Sequence, residues 1–147
     1  MKKLKIIALV LVGMGIVGAI VAYKMYNMPH KNFATEKADF ELTAQAIFDE
    51  FNADETAATT KYVTHDQTIQ ITGFVANVSQ DNDSTTTIGV SATAGEAAIA
   101  NCSLAPEFVA EAASLKTGDP ITIKGQCTGF MGLIDPAVMF IRCAPIK

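Results

Sequence analysis

Residues of the kinds that usually perform catalysis are scarce in this sequence. Its 147 residues include no tryptophan, two histidines and three cysteines. The chain has no Gly-x-Ser-x-Gly elbow, no phosphate-binding loop and no His-Glu-x-x-His zinc motif. Its two acidic pairs are adjacent in sequence, and adjacent side chains on a helix point in different directions. These pairs are Asp49–Glu50 and Asp54–Glu55. We therefore expect no enzymatic activity, no catalytic residue and no cofactor.

The spacing of a metal site is also missing. Structural zinc sites usually bring cysteines or histidines in close pairs along the chain. Here Cys102, Cys127 and Cys143 are far apart in sequence, and each histidine stands alone. We predict no metal ligands, and we expect His65 to be an exposed turn residue.

Basic charge is scarce in most of the chain. From residue 28 onward 15 acidic residues stand against 7 basic ones, a net charge of −8, whereas the first 27 residues carry +4. Nucleic-acid binding depends mainly on neutralising phosphates. The acidic part therefore argues against a nucleic-acid partner, and its charge favours solubility.

One long hydrophobic run lies near the start. Residues 6–23 carry no charge, and Lys2, Lys3 and Lys5 precede them. Such a run is about as long as a helix that crosses a bilayer. Because most of the flanking positive charge precedes the run, we predict a signal-anchor over residues 1–27 of a bacterial inner-membrane protein. The N-terminus would then be cytoplasmic and the rest of the chain periplasmic.

The hydrophobic run allows an alternative interpretation, and it also predicts self-association. A cleaved signal peptide is the alternative, with Ala22 as the last residue before the cut, but Ile20 is bulky for the small-residue pattern of a cleavage site. Small residues four apart predict that two such helices can pack together. They are Gly15 with Ala19, and Gly18 with Ala22.

A polar connector and a helical pattern follow the run. Residues 28–38 contain Pro29 and read as a linker. In "DFELTAQAIFDEF" the apolar residues fall at helical spacing, with Asp39 as the predicted N-cap. Residues 53–62 suggest a second short helix. We predict that these amphipathic helices begin a domain over residues 39–147.

From Gln67 the hydrophobic period changes to two, which indicates strands. Three strand patterns, "TIQITGFVANVS", "TTTIGVSA" and "AAIANCSL", precede the helical stretch "PEFVAEAASL". Two more, "PITIKGQCTGF" and "AVMFIRC", follow it. The order β-β-β-α-β-β is that of the OB-fold, a five-stranded Greek-key barrel. The predicted fold class is therefore mainly β.

These stretches resemble the tRNA-anti-like family of OB-fold proteins, small exported or membrane-attached proteins of Bacteroidetes-type bacteria. The similar segments are "YNMPHK", "KADFELTAQAIFDEF", "AATTKY", "IQITGFVANV", "NCSL", "GDPITIKGQCTGF" and the closing strand. Together they span about 120 residues. The resemblance implies the barrel fold and brings no assigned activity. The family name records a likeness to anticodon-binding domains.

Two of the three cysteines are predicted to meet. In an OB barrel the third and fifth strands are parallel neighbours, so Cys102 and Cys143 should end at the same end of the barrel. Alternation places Cys143 inward together with Met139 and Ile141. Because a periplasmic domain permits disulfides, we predict a Cys102–Cys143 bond.

Cys127 is predicted to remain a buried free thiol. A hairpin around "MGLIDP" places Cys127 opposite Val138. Cys143 is then roughly 17 Å further along the strand, beyond the reach of a disulfide. We expect Cys127 to pack as a small apolar side chain.

The strands that would read a nucleic acid lack the necessary residues. Single-strand binders combine a basic groove with aromatic side chains on which bases stack. The second and third strands have neither, so the candidate binding rim consists of Phe74, Lys124 and Phe130. Packing is the more usual role of the two phenylalanines.

We therefore expect a membrane-tethered, non-enzymatic OB-fold binding module. Its loops "QDNDS", "SATAGE" and "MGLIDP" would bind an unknown protein, glycan or peptide ligand. A single-stranded nucleic-acid binder of the anticodon-binding type is the alternative. A structural subunit of an envelope complex, assembled through the membrane helix, is a further one.

Overall fold

The computed structural model of the chain describes residues 2–26, 32–81 and 85–146, with side chains from residue 12 onward. The chain divides into two compact units, Met1–Lys31 and Asn32–Lys147. The first contains helix α1 (Lys2–Tyr26). Among the described residues, no helix is both long enough and apolar enough to cross a bilayer. The predicted span, residues 6–23, falls within α1, with side chains described from residue 12, and the predicted linker, residues 28–38, lies partly outside the described residues.

The second unit begins with a short strand that the sequence analysis missed. Strand β1 (Phe40–Thr43) pairs in parallel with the strand that starts at Ile69. The prediction of a helix from Asp39 is therefore wrong for its first turn. The carboxylate of Asp39 accepts a hydrogen bond from Thr68 N at 2.8 Å, which joins the chain to the next strand.

Two helices follow β1, as predicted. Helix α2 (Ala44–Ala53) is capped by Thr43, whose hydroxyl accepts a hydrogen bond from Ala46 N at 3.1 Å. Helix α3 (Glu55–Tyr62) is capped by the carboxylate of Asp54, which accepts from Ala57 N at 3.0 Å. These side chains satisfy N–H groups that have no partner inside the helix.

The remaining elements form a closed barrel. They are β2 (Ile69–Gln80), β3 (Thr86–Ser91), β4 (Ala100–Leu104), a 3₁₀ turn (Pro106–Phe108) running into α4 (Val109–Ala112), β5 (Pro120–Met131) and β6 (Ala137–Ile146). The strands are hydrogen-bonded in the order β2-β3-β4-β6-β5, and β2 pairs with β5 to close the ring. The pairing of β4 with β6 is parallel. The predicted order of elements and the five-stranded barrel are confirmed.

Strand β2 must bend to serve both sides of the barrel. Its first half pairs with β5 and its second half with β3, with a register shift between Val75 and Asn77. A Cβ on Gly73 would lie 2.5 Å from the carbonyl oxygen of Ser91 and 2.6 Å from Val90 Cγ1. Only glycine lets the two backbones approach this closely.

Strand β6 contains an irregularity that changes which residues face inward. Arg142 has a φ of +52°, and the pairing with β4 shifts between Cys102 and Leu104. The extra residue reverses the alternation. The prediction that Met139 and Ile141 face inward is therefore wrong, since Ile141 is 37% exposed. Phe140 is buried in their place, and Cys143 is buried as predicted.

Helix α2 packs against the barrel through aromatic rings. Phe51 is buried and stacks on Phe130, with ring centroids 5.7 Å apart and planes inclined by 14°. Phe48 meets the same Phe130 ring edge-on at 5.8 Å. The aromatic groups of this helix are thus used for packing.

Candidate binding groove on the barrel

Two adjoining depressions form a groove on the outer face of β2, β3, β4 and β6. Their volumes are about 470 and 390 Å³, and both are lined by Asn77 and Asn101. Small-molecule sites usually measure about 300 to 1,000 Å³. We refer to this surface as the groove. The loop stretches at residues 96–99 and 135–137 border its larger part.

The floor of the groove follows from the strand register. Asn77, Gly89, Asn101 and Met139 are successive partners across the four strands. A second row runs from Ser79 through Thr87 to Ser103. Because alternate residues of a strand share one face, the intervening Ile88, Cys102 and Phe140 point into the barrel. The two rows supply the polar side chains of the groove, and its larger part is bordered mostly by apolar residues.

These side chains make only weak hydrogen bonds among themselves. Thr87 Oγ1 and Ser103 Oγ are 3.4 Å apart, and Asn101 Nδ2 donates to Met139 Sδ at 3.9 Å. Both distances are long for a hydrogen bond. The amide and hydroxyl groups consequently retain most of their capacity to bind a ligand.

Gly89 shapes the larger part of the groove. A Cβ at this position would lie 2.8 Å from Ala98 Cβ and would collide with the side-chain oxygen of Asn77. The missing side chain lets the Asn77 amide and the loop at Ala98 lie over β3. A larger residue at position 89 would displace the amide from the groove.

The charge around the groove is negative. Glu96 and Asp135 border the larger part, and Asp81 borders the smaller part. Among the described residues that line either part, none is lysine, arginine or histidine. The surface therefore offers hydrogen bonds and negative potential, and it offers a phosphate group no counter-charge.

Two of the three predicted rim residues have partners within the fold. Phe130 is packed against the rings of α2, and Lys124 Nζ donates a hydrogen bond to the Glu36 carbonyl oxygen at 3.0 Å. Phe74 is opposite Pro120 on β5, four residues from Lys124, or roughly 13 Å along the strand. Their participation in one rim stays a prediction, and Phe130 and Lys124 already have structural partners.

The three cysteines are buried and unbonded in the structure. Burial raises the pKa of Cys143 well above its usual range, and the neighbouring Cys102 raises it further. Cys143 pairs with Leu104, two residues from Cys102 on the adjacent strand, and the disulfide itself stays a prediction.

Cys127 lies opposite Phe140, two residues from the predicted partner. Burial raises the pKa of Cys127 to about 11, and its thiol donates a long hydrogen bond to the Gly129 carbonyl oxygen at 4.0 Å. Because the thiolate is the reactive form, this thiol is chemically inert near neutral pH.

The histidine His65 is exposed in a turn. Within the described ranges, no group of three or more histidine, cysteine, aspartate or glutamate side chains is arranged to hold a metal ion.

Sequence reasoning missed the residues of the groove. The outward positions of the third strand, Asn101 and Ser103, are polar, and this was a usable signal. Their assembly with Asn77 depended on the register shift in β2, which the hydrophobic pattern does not reveal.

The closed barrel and the groove over its second and third strands define an OB-fold domain, a class that binds ligands on this face. The model of the tRNA_anti-like family matches residues 1–143, and the chain belongs to that family. The resemblance in sequence is thus confirmed at the level of the family. No curated protein sequence matches the chain.

Solved structures share the fold at low identity. A lipoprotein of Klebsiella pneumoniae subsp. pneumoniae, described as a candidate nucleic acid-binding protein, has a TM-score of 0.55 and 12% identity over 76% of this chain and 100% of that chain. This likeness shows the fold alone. The Stn1–Ten1 complex of S. pombe has a TM-score of 0.37 and 13% identity, over 54% of this chain and 58% of that chain. The likeness to the Stn1–Ten1 complex is too weak to indicate a shared function.

Proposed function

We propose that the protein is a non-enzymatic OB-fold module, tethered to the bacterial inner membrane, that binds its ligand in the groove. The observation that carries the proposal is the groove across β2, β3, β4 and β6, whose floor presents amide and hydroxyl side chains. OB-fold domains bind oligonucleotides and oligosaccharides on this face and its adjoining loops. Two of the predicted loops, at residues 91–96 and 131–136, contribute to the border of the larger part.

The tether rests on sequence. Residues 6–23 carry no charge and follow three lysines, which favours a membrane anchor with a periplasmic barrel. Self-association of the anchor through Gly15, Ala19, Gly18 and Ala22 would bring two barrels close together, as in a structural subunit of an envelope complex. Protease added to spheroplasts should degrade the barrel and leave a short anchored fragment. A protected barrel would contradict this location.

The related lipoprotein raises nucleic acid as the rival ligand. The groove argues against it, since Glu96, Asp135 and Asp81 would repel phosphates. Among the described residues that line the groove, Phe48 is the aromatic one, and its ring already packs edge-on against Phe130.

Site-specific crosslinking in intact cells tests the groove. A photo-reactive residue at Ser79 faces the groove, whereas one at Thr72 is on the same strand and pairs across to Thr122. We expect adducts from position 79 and none from position 72. Equal labelling from both positions, or none from either, would count against binding in the groove.

A further inference from the structure

We infer that the groove takes an uncharged, hydroxyl-rich ligand, a neutral oligosaccharide. The inference rests on the proposed function and names the ligand of the same site. It follows from the chemistry of the lining, from its charge and from the pairing of the strands beneath it.

The lining can hydrogen-bond a polyol in both directions. The amides of Asn77 and Asn101 donate and accept, and so do the hydroxyls of the second row. The carboxylates of Glu96 and Asp135 only accept. A sugar hydroxyl both donates and accepts, so it can pair with each of these groups. A phosphate oxygen can only accept, and it would meet two carboxylates.

The groove also has an apolar portion. Met139 lies in the floor of the smaller part, and Phe48, Ile99, Ala97 and Pro136 are among the apolar residues that border the larger one. Such side chains can contact the C–H faces of a sugar ring.

An extended peptide has no strand edge to pair with over β3, β4 and β6. Strand β3 lies between β2 and β4, and β6 lies between β4 and β5. Strand β4 is likewise paired on both sides, whereas residues 77–80 of β2 pair only with β3. Peptides that add a strand to a sheet need unpaired backbone groups. A ligand over these strands can therefore bind the floor only through the side chains of the floor.

The floor of the groove crosses four adjacent strands, roughly 14 Å at the usual spacing between strands. Its two parts share Asn77 and Asn101 and so form one trough across the strands. The negative border leaves the affinity for an uncharged ligand independent of salt, whereas binding of an ion would fall as salt is added.

The test uses the full chain in a phosphocholine detergent, because sugar-based detergents would compete. Neutral hexasaccharides of glucose, in α-1,4 and β-1,4 linkage, and of N-acetylglucosamine are titrated against the ¹⁵N-labelled protein. An oligo-dT of twelve nucleotides and a peptide of nine lysines are the competing probes. We expect at least one hexasaccharide to shift the amide signals of the groove saturably and without salt dependence.

Paired variants locate the binding. Asn101→Leu keeps the size of the side chain and removes its hydrogen bonds, so we expect about tenfold weaker binding. Asn52→Leu makes the same change on an exposed position of α2 and should leave the affinity unchanged. Equal affinity in both variants would overturn the inference.

The competing probes separate the two proposals. If oligo-dT or the lysine peptide shifts the groove signals and no hexasaccharide does, the ligand class is wrong and the binding function stands. If no probe shifts the groove, the glycan inference is wrong, and crosslinking from Ser79 in cells decides whether the groove binds anything.

Discussion

The interior of the barrel and the groove are made from the same strands. On β4, Cys102 and Leu104 face inward and are buried, while Asn101 and Ser103 face the groove. On β3 the inward Ile88 alternates with groove positions in the same way. One set of positions maintains the fold and the other set is free to determine what is bound.

Substitutions at the inward positions and at the groove positions should therefore have different effects. Interior side chains are closely packed, so a change there alters stability. Groove side chains make weak mutual hydrogen bonds, so a change there should alter binding and leave stability nearly unchanged.

The largest effect is expected at the contact between helix and barrel. Phe51→Ala removes a buried ring that stacks on Phe130, which should lower the free energy of unfolding by about 3 to 5 kcal/mol. Urea denaturation measures it. Leu133→Ala is the control, because Leu133 is 95% exposed, and it should change stability by less than about 0.5 kcal/mol. Similar costs for the two variants would show that α2 is not part of the core.

The predicted disulfide comes next. Oxidising the thiols of Cys102 and Cys143, which lie on adjacent strands, should stabilise the fold by roughly 2 to 4 kcal/mol, measured as the shift in urea unfolding on reduction. Non-reducing mass mapping should find this pair. Cys127→Ala should leave both the bond and the shift on reduction intact. A bond that includes Cys127 would refute the pairing.

A smaller effect is expected where β5 passes the Cys143 thiol. A Cβ on Gly125 would lie 2.7 Å from Cys143 Sγ and 3.2 Å from the Ile141 carbonyl oxygen. Under reducing conditions Gly125→Ala should cost about 1 to 3 kcal/mol by overpacking. Because Cys143→Ala removes the crowding sulfur, the double variant should lose less stability than the two single variants together. Simple additivity in urea denaturation would show that the sulfur is not what crowds residue 125.

Much of the fold could be predicted from hydrophobic pattern alone. The switch to a period of two at Gln67 gave the strands, and their order gave the barrel with β4 beside β6. Local signals failed where pairing over long range decided the structure. The stretch Phe40–Thr43 has helical spacing, yet its pairing with β2 makes it a strand.

The site was harder to predict than the fold. The groove depends on register across four strands, and single-residue shifts in β2 and β6 change which side chains share a face. Arg142 shows the difficulty, because nothing in "FIRCA" signals a residue with positive φ. Residues chosen for their type, such as Phe130, proved to be packed against α2 instead.

The smallest effect concerns the ion pair between α2 and α3. Glu50 Oε2 accepts hydrogen bonds from Lys61 Nζ at 2.8 Å and from the Tyr62 hydroxyl at 2.9 Å. The hydrogen bond from Lys61 lowers the pKa of Glu50, and the same bond raises the pKa of Lys61. Both charged side chains are more than a third exposed, so water screens the pair.

Glu50→Gln should therefore cost only about 0.5 to 1 kcal/mol near neutral pH. Because the pKa of Glu50 is lower in the folded protein than in the unfolded chain, the charged carboxylate stabilises the fold at pH values above the unfolded pKa. This contribution should disappear as the pH falls below about 4. Because the pKa of Lys61 is raised in the folded protein, the contribution of the ion pair should also be lost as the pH rises above about 10.5 and the lysine loses its charge. Urea midpoints of wild type and variant, compared across pH, should converge at both extremes. Glu41→Gln removes the same charge from an exposed position of β1 and should show no such plateau. A constant difference at all pH values would mean that Glu50 stabilises the helices by packing and not through its charge.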